Sequence, residues 1–345
     1  MSASEASRVG VVVIGRNEGE RLRACLASLA PLGLPIVYVD SDSSDGSRDL
    51  AADAGATVVS LDSSQPMNAS RARREGAERL LADHGSTEFI AFIDGDCTVA
   101  PKWITTATDA MSADPSLAAV CGRRRELEPH ASMYNLACDH EWDTPVGECD
   151  AVGGDSIWRV SAYQQAGGFD PTVPAGEEPE LCQRVRQAGW RLQRLDTEMT
   201  THDAAIHRFG PWWKRQLRTG YSGADVEHRF HLGLFDRLIR GSKFWAFTVP
   251  QMTVAAMLVA GWFGGWAYAG YVLLTAVGVG MLQTVRIARG VAGRPLLDRL
   301  KIATLTMLAK PAIALGARRY EADRRRGRGA KLLEYKSAPH SVAAQ

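Results

Sequence analysis

The sequence has no excess of either charge: 40 Lys and Arg face 39 Asp and Glu in 345 residues, a net charge of +1. That balance argues against nucleic acid as the main partner. Six cysteines (Cys25, Cys97, Cys121, Cys138, Cys149, Cys182) are scattered without a C-x-x-C pair, so neither a zinc site nor a disulfide framework is expected and the thiols should be reduced. The opening MSASEASRVG lacks a basic start and an apolar core, so no signal peptide is expected and the first strand should begin almost at once. The glycine pattern G-x-G-x-x-G is missing after that strand, where GRNEGE stands instead, which argues against a Rossmann dinucleotide site. No charged residue occurs among the 42 from Phe244 to Val285.

What is present begins as alternating strands and helices. VGVVVIG (Val9 to Gly15) reads as a buried strand, and the next segment places Leu22, Cys25, Leu26 and Leu29 at helical spacing. PIVYVDSDSSDGSRDLAADAG repeats the plan, and ATVVSLD is a third strand. The order β-α-β-α-β predicts an α/β fold with a doubly wound, mostly parallel sheet. FIAFIDGDC (Phe89 to Cys97) supplies its central strand, an apolar run that stops on two carboxylates.

Asp94 and Asp96, separated by Gly95, leave that strand where ligands bind in open α/β sheets. Two hard oxygen donors there suit Mg²⁺ or Mn²⁺ carrying a diphosphate, although an acidic turn after a strand has the same composition. The turn from Asp40 to Gly46 carries three aspartates, which would repel phosphate yet accept hydrogen bonds from a base N–H or ribose hydroxyls. Arg71, Arg73 and Arg74 open a helix and either face a diphosphate or form a solvated face, and Arg123, Arg124 and Arg125 make a second basic spot. VGGDSIWRVSAYQQAGGFDP contains two glycine pairs, expected points of close backbone approach. Glu177 and Glu178 precede Pro179 at a helix start, as dipole partners or a general base, with the helix end expected to favour the ionised form. His202 and His207 follow a late strand as candidate ligands; a surface or core histidine is the alternative for both and the favoured reading for His207. Trp212 and Trp213 beside Lys214, Arg215 and Arg218 give an aromatic-basic helix, the composition of an interfacial element or of a helix packed on the domain edge.

The uncharged block is long enough for two spanning helices at about 20 residues each. Arg237, Arg240 and Lys243 precede it and Arg286, Arg289 and Arg294 follow it, which predicts both ends on the cytoplasmic side. The expected division is a catalytic domain at 1–235 and a membrane region at 236–345, with spans near 244–264 and 266–285. Lys310 and Pro311 interrupt the segment 302–316, read as re-entrant or interfacial, and 317–345 is a basic tail. A cell inner membrane location, multi-pass with a cytoplasmic catalytic domain, follows.

With these pieces placed, the chain resembles family 2 of the glycosyltransferases over roughly residues 8 to 235. VVVIGRNEGERL is similar to that family's opening strand with its Asn-Glu pair, Asn17 and Glu18, and VYVDSDSSDGS to the loop whose first aspartate, Asp40, holds the base. ARREG resembles A-R-N-x-G, with Arg73 in the donor-contacting role and Arg74 where Asn is usual; FIDGD resembles the metal motif, with Asp94 and Asp96. GGFDPTVPAGEEPELCQRVRQAGW resembles the segment ending in the acidic pair that supplies the base, with Glu178 where Asp is more usual. The resemblance implies a nucleotide-diphospho-sugar transferase fold with Mn²⁺ or Mg²⁺ as cofactor, and His202 as a third ligand by analogy with related folds. The hydrophobic helices and the ending KLLEYK are similar to a bacterial subgroup associated with exopolysaccharide or lipid-linked glycan assembly. The expected activity is transfer of a sugar from a nucleotide diphosphate sugar to a hydroxyl of a lipid-linked or glycan acceptor, metal-dependent and inverting. Two other readings stand beside it: a sugar nucleotidyltransferase, for which GRNEGERL is a poor phosphate loop, and a non-enzymatic membrane scaffold that binds a nucleotide sugar.

Overall fold

The computed structural model describes residues 8–329. These fall into two compact units, one of residues 8–128 and 141–204 and the other of 129–140 and 205–329.

The first unit is a nine-stranded mixed sheet between helices, with strand order β3-β2-β1-β4-β8-β6-β9-β5 and β7 beside β9. Its parallel half comprises β1 (Val9–Gly15), β2 (Ile36–Asp40), β3 (Thr57–Ser60) and β4 (Phe89–Asp94). Helices α1 (Glu20–Leu29), α2 (Ser47–Asp53) and α3 (Ala69–Asp83) are the crossovers the alternation predicts. The remainder mixes directions. After β5 (Cys97–Val99) and α4 (Trp103–Ala113) come β6 (Leu117–Glu126), then α5 (Met133–Glu141), which groups with the second unit, and the short β7 (Gly147–Glu148). Strand β8 (Ser156–Arg159), α6 (Val160–Gln165), α7 (Glu177–Gln187) and β9 (Arg191–His202) follow. Strand β8 runs antiparallel between β4 and β6, while β9 is parallel to β6 and antiparallel to β5.

The apolar residues of β1 and β4 are buried on both faces, with Val11, Val12, Val13, Ile90, Phe92 and Ile93 at the centre of the core. Helix α3 crosses β1 and β2 through Gly76. A Cβ added there would collide with the Val12 side chain and stand 2.8 Å from the Val39 methyl.

The second unit is helical. Helix α8 (Phe209–Phe230) packs along α12 (Leu296–Arg325) at a crossing where Gly220 faces the Ile313 backbone and Gly316 faces that of Leu217, with no room for a Cβ at either. Tyr221 and Tyr320 meet edge to face at 5.6 Å, and the Tyr221 hydroxyl donates to Asp323. Helix α9 (Asp236–Lys243) passes through a π-helical turn, Phe244–Thr248, into α10 (Val249–Gly264), and Gly265 at φ +86° turns the chain into α11 (Trp266–Gly290). Trp262, Phe263 and Trp266 are 79 to 85% exposed. Among the described residues three helices are long and apolar enough to cross a membrane: Asp236–Gly264, Trp266–Gly290 and Leu296–Arg325.

Two expectations differ from this architecture. Residues 205–235 group with the C-terminal helices rather than with the sheet, because the glycine crossing holds α8 against α12. The segment 302–316 is no separate re-entrant piece but the middle of the continuous 30-residue helix α12, with Pro311 inside it. Proline removes one backbone bond and bends a helix, and neighbouring elements make that tolerable; half of this helix's most apolar window is buried. The ending KLLEYK lies outside the described residues.

The tight passage of α3 over the sheet yields an expectation about stability. Gly76→Ala should cost about 1–3 kcal/mol through overpacking, read as a fall of several degrees in the thermal unfolding midpoint. An unchanged midpoint would show that the helix can lift off β1 freely.

Candidate active site

Strand β4 ends where the sheet changes direction, and the chain beyond it is pressed against β1. The Gly95 N–H donates to the Ile14 carbonyl at 2.8 Å, and a Cβ on Gly95 would stand only 3.0 Å from that oxygen. A side chain between the two carboxylates would therefore crowd the β1 backbone. The Asp94 N–H donates to Asp155 Oδ1 at 2.9 Å, and Thr200 Oγ1 donates to Asp155 Oδ2 at 2.7 Å. Asp155, fully buried, thus pins the end of β4 to β9.

Strand register brings in the histidine. Cys97 on β5 pairs with His202 on β9, which sets His202 Nε2 at 3.2 Å from Asp96 Oδ2. The Cys97 thiol lies 3.6 Å from Asp96 Oδ1, and burial pushes it up toward the protonated form. Asp96, Cys97 and His202 offer donor atoms within 4.8 Å of one another, as do Asp94, Cys97 and Asp155. The carboxylate and imidazole donors fit Mn²⁺ or Mg²⁺; a neutral thiol does not compete for such hard ions.

Arg73 joins this cluster to the acid pair at the start of α7. Its Nη2 is 2.8 Å from Asp94 Oδ1, while its Nη1 is 2.6 Å from Glu177 Oε1 and 3.4 Å from Glu178 Oε1. The guanidinium also stacks 5.7 Å above Phe169. Gly154 makes room for it, since a Cβ there would collide with the guanidinium. A second guanidinium, Arg124 on β6, lies 3.4 Å from Asp94 Oδ2 and 3.5 Å from Asp155 Oδ2, stacked 4.9 Å over Trp142. Trp142 also meets the His202 ring edge to face at 4.9 Å. Burial opposes ionisation of Asp94, but Arg73 and Arg124 outweigh it and hold that carboxyl below the usual range.

Glu177 and Glu178 are not equivalent. Glu177 is 6% exposed and clamped by Arg73, whereas Glu178 is 21% exposed and touches Arg73 only at longer range. Burial and then the Glu177 charge push Glu178 up to about 7, against the pull of Arg73. Desolvation beside a second acid thus outweighs the helix-end preference for the ionised form.

The nucleoside-side candidates sit on the first two turns. Asn17, at φ +55°, accepts from the Ser44 N–H at 2.8 Å and donates its own N–H to Ser43 Oγ, tying one turn to the other. Glu18 pairs with Arg21 at 2.7 Å. Asp40 is fully buried, with its oxygens accepting from the Ser43 N–H and the Tyr38 hydroxyl, so it shapes the loop from within. Of the three arginines opening α3, only Arg73 reaches the carboxylates. Arg71 binds Glu75 and the Asp62 carbonyl, and Arg74 binds Glu78 and the carbonyls of Gly167 and Phe169. His207 is exposed and belongs to the helical unit.

Sequence reasoning missed three participants. Asp155 had a visible cue, an aspartate after a glycine pair and just before a buried strand. Arg124 was seen only as part of a basic spot. Trp142, in CDHEWDTP, carries no local signal.

Residues 10–138 match the family described as "Glycosyl transferase family 2". Over those residues the chain is similar to family 2 of the glycosyltransferases. It is similar to the pre-mycofactocin glycosyltransferase of Mycobacterium tuberculosis, at 27% identity over 235 residues, 64% of this chain and 48% of that protein. It is also similar to the succinoglycan biosynthesis protein ExoA of Rhizobium meliloti, at 24% identity over 57% of this chain and 64% of that protein. The chain thus spans about half the length of the first relative and just under two thirds of the second. A mannosyltransferase from Pyrobaculum calidifontis, solved with GDP-Man and Mn²⁺, superposes with a TM-score of 0.56 at 16% identity, covering 89% of this chain and 87% of that one. That likeness is one of fold.

Three carboxylates converge on Arg73, which is 3% exposed, so removing its charge leaves buried anions without a partner. Arg73→Met should cost about 3–5 kcal/mol of stability, measurable as a lowered denaturation midpoint. A midpoint within 1 °C of the parent would mean that the carboxylates take up protons or water without cost.

Proposed function

We propose that the protein transfers a sugar from a nucleotide diphosphate sugar to a hydroxyl of a lipid-linked or glycan acceptor at a membrane, with inversion at the anomeric carbon. The observation that carries this reading is the reach of Arg73: one guanidinium contacts the carboxylate ending β4 and both acids opening α7. Donor chemistry and acceptor chemistry therefore lie within one side chain of each other.

Glu178 is the general base in this reading. It is the more exposed and less tightly held of the acid pair, while Glu177 fixes Arg73. As the acceptor oxygen bonds to the anomeric carbon, Glu178 takes the hydroxyl proton and the bond to the nucleoside diphosphate breaks. Arg73 orients Glu178 and keeps Asp94 ionised. Asp94, Asp96 and His202 would hold Mn²⁺ or Mg²⁺, which when bound supplies positive charge to the departing diphosphate. Asn17, Glu18 and the loop shaped by Asp40 frame the nucleoside end. The exposed aromatic and aliphatic surface of α10 and α11 suits lipid, and an anchored domain meets a lipid-linked acceptor at high effective concentration.

Donor turnover tests the reading. Wild-type protein should transfer or hydrolyse one of a panel of nucleotide sugars with Mn²⁺ or Mg²⁺ present. Glu178→Gln should lower kcat by roughly 10²- to 10⁴-fold with donor binding little changed. Glu178 sits near 7 among Glu177, Arg73 and Asp94, and it acts only when deprotonated. The rate should therefore fall as pH drops below about 7 and level off above it, and the variant should lack that limb. A Glu178→Gln enzyme running at the parent rate would move the base elsewhere.

The membrane side is tested separately. Apolar burial is insensitive to salt screening, so the full chain should remain in the pellet after both high salt and alkaline carbonate. Release by either would exclude spanning helices.

A further inference from the structure

The two guanidiniums on Asp94 are held very differently. Arg73 is bound to three carboxylates, its nearest contacts at 2.6 and 2.8 Å, and is 3% exposed. Arg124 makes only contacts of 3.4 and 3.5 Å to Asp94 and Asp155, and it is 16% exposed. Its Nε is buried without an acceptor, as is that of Arg73, so what separates the two guanidiniums is the length of their contacts to carboxylates and their exposure. Trp142 beneath it offers a flat stacking surface that steadies the guanidinium without fixing its direction.

We propose that Arg124 is a displaceable counter-ion: it neutralises Asp94 in the free protein and moves to the donor diphosphate when a divalent cation takes the carboxylate. This rests on the function proposed above. A cation ligated by Asp94 competes with Arg73 on Oδ1 or with Arg124 on Oδ2, and the longer pair of contacts gives way first. A divalent cation and a guanidinium on one carboxylate repel each other strongly in a site shielded from water. The incoming diphosphate then presents oxygens to the freed fork, the geometry that guanidinium binds best. Arg124 is thereby a donor-positioning residue that the metal switches, and it couples cation binding to donor binding.

The test separates this from a purely structural role by the signs of two affinities. The probes are Mn²⁺ alone, followed by loss of its free-ion electron paramagnetic resonance signal, and Mn²⁺ with each of UDP, GDP, ADP and CDP. In Arg124→Gln, Mn²⁺ alone should bind about tenfold more tightly, because its competitor is gone, and the nucleoside diphosphate that binds the parent should bind about tenfold more weakly. Arg124→Lys keeps the charge but lacks the fork and the stacking plane, and should lose diphosphate affinity by about threefold, less than Arg124→Gln does; this variant carries the test if the glutamine variant fails to fold. Both affinities weakened, or both unchanged, in Arg124→Gln would overturn the proposal and leave the function standing. So would a diphosphate loss in Arg124→Lys as large as in Arg124→Gln. A wild-type protein that binds neither Mn²⁺ nor any of the four nucleotides would overturn the function and this proposal together.

Discussion

The site depends on one buried electrostatic arrangement, the Asp94 carboxylate shared between two arginines. Bringing so many ionised groups out of water is costly unless each finds a partner. Arg73 and Arg124 supply positive charge to Asp94, Asp155, Glu177 and Glu178 from two directions. The surrounding backbone serves that arrangement: glycine at 95 lets the chain turn against β1, and glycine at 154 leaves the Arg73 guanidinium its space. The shift of Glu178 toward neutrality shows where that compensation is incomplete: burial, and then the neighbouring Glu177 charge, outweigh the pull of Arg73.

The parallel half of the sheet was legible because each strand is a short apolar run closed by turn residues, and each helix has its buried face at regular spacing. The carboxylates of D-G-D and of the Glu177–Glu178 pair stood out because they interrupt apolar or glycine-rich sequence, and the structure brings Asp94, Glu177 and Glu178 to Arg73. The antiparallel half was not, since β8 and β6 pair through contacts made far apart in the chain and leave no local signature. The same reason hides Trp142 and the pairing of Arg124 with Asp155. Both depend on which strands lie side by side.

For the helical unit, composition announced apolar length but misjudged continuity. Lys310 and Pro311 looked like an interruption, yet helix α12 runs through both. What the sequence does show, in retrospect, is the run of Ala309, Ala312, Ala314, Gly316 and Ala317, all buried. Small residues let two backbones approach closely, so the helix that seemed too broken to span is the one most firmly packed against a neighbour.

The pairing of Cys97 with His202 has a consequence for how this fold can vary. Between Cys121 and Arg124 of β6, the facing strand β9 runs from Arg194 to Thr200, so β9 spends extra residues on bulges before the ladder resumes. Length changes in that bulged stretch can be absorbed as loop. Past Thr200 no such slack exists: because side chains alternate with a period of two, inserting or deleting a single residue there would turn the imidazole to the opposite face of the sheet. The bulge works as a vernier, and the three residues after it are the graduated end that must stay in register.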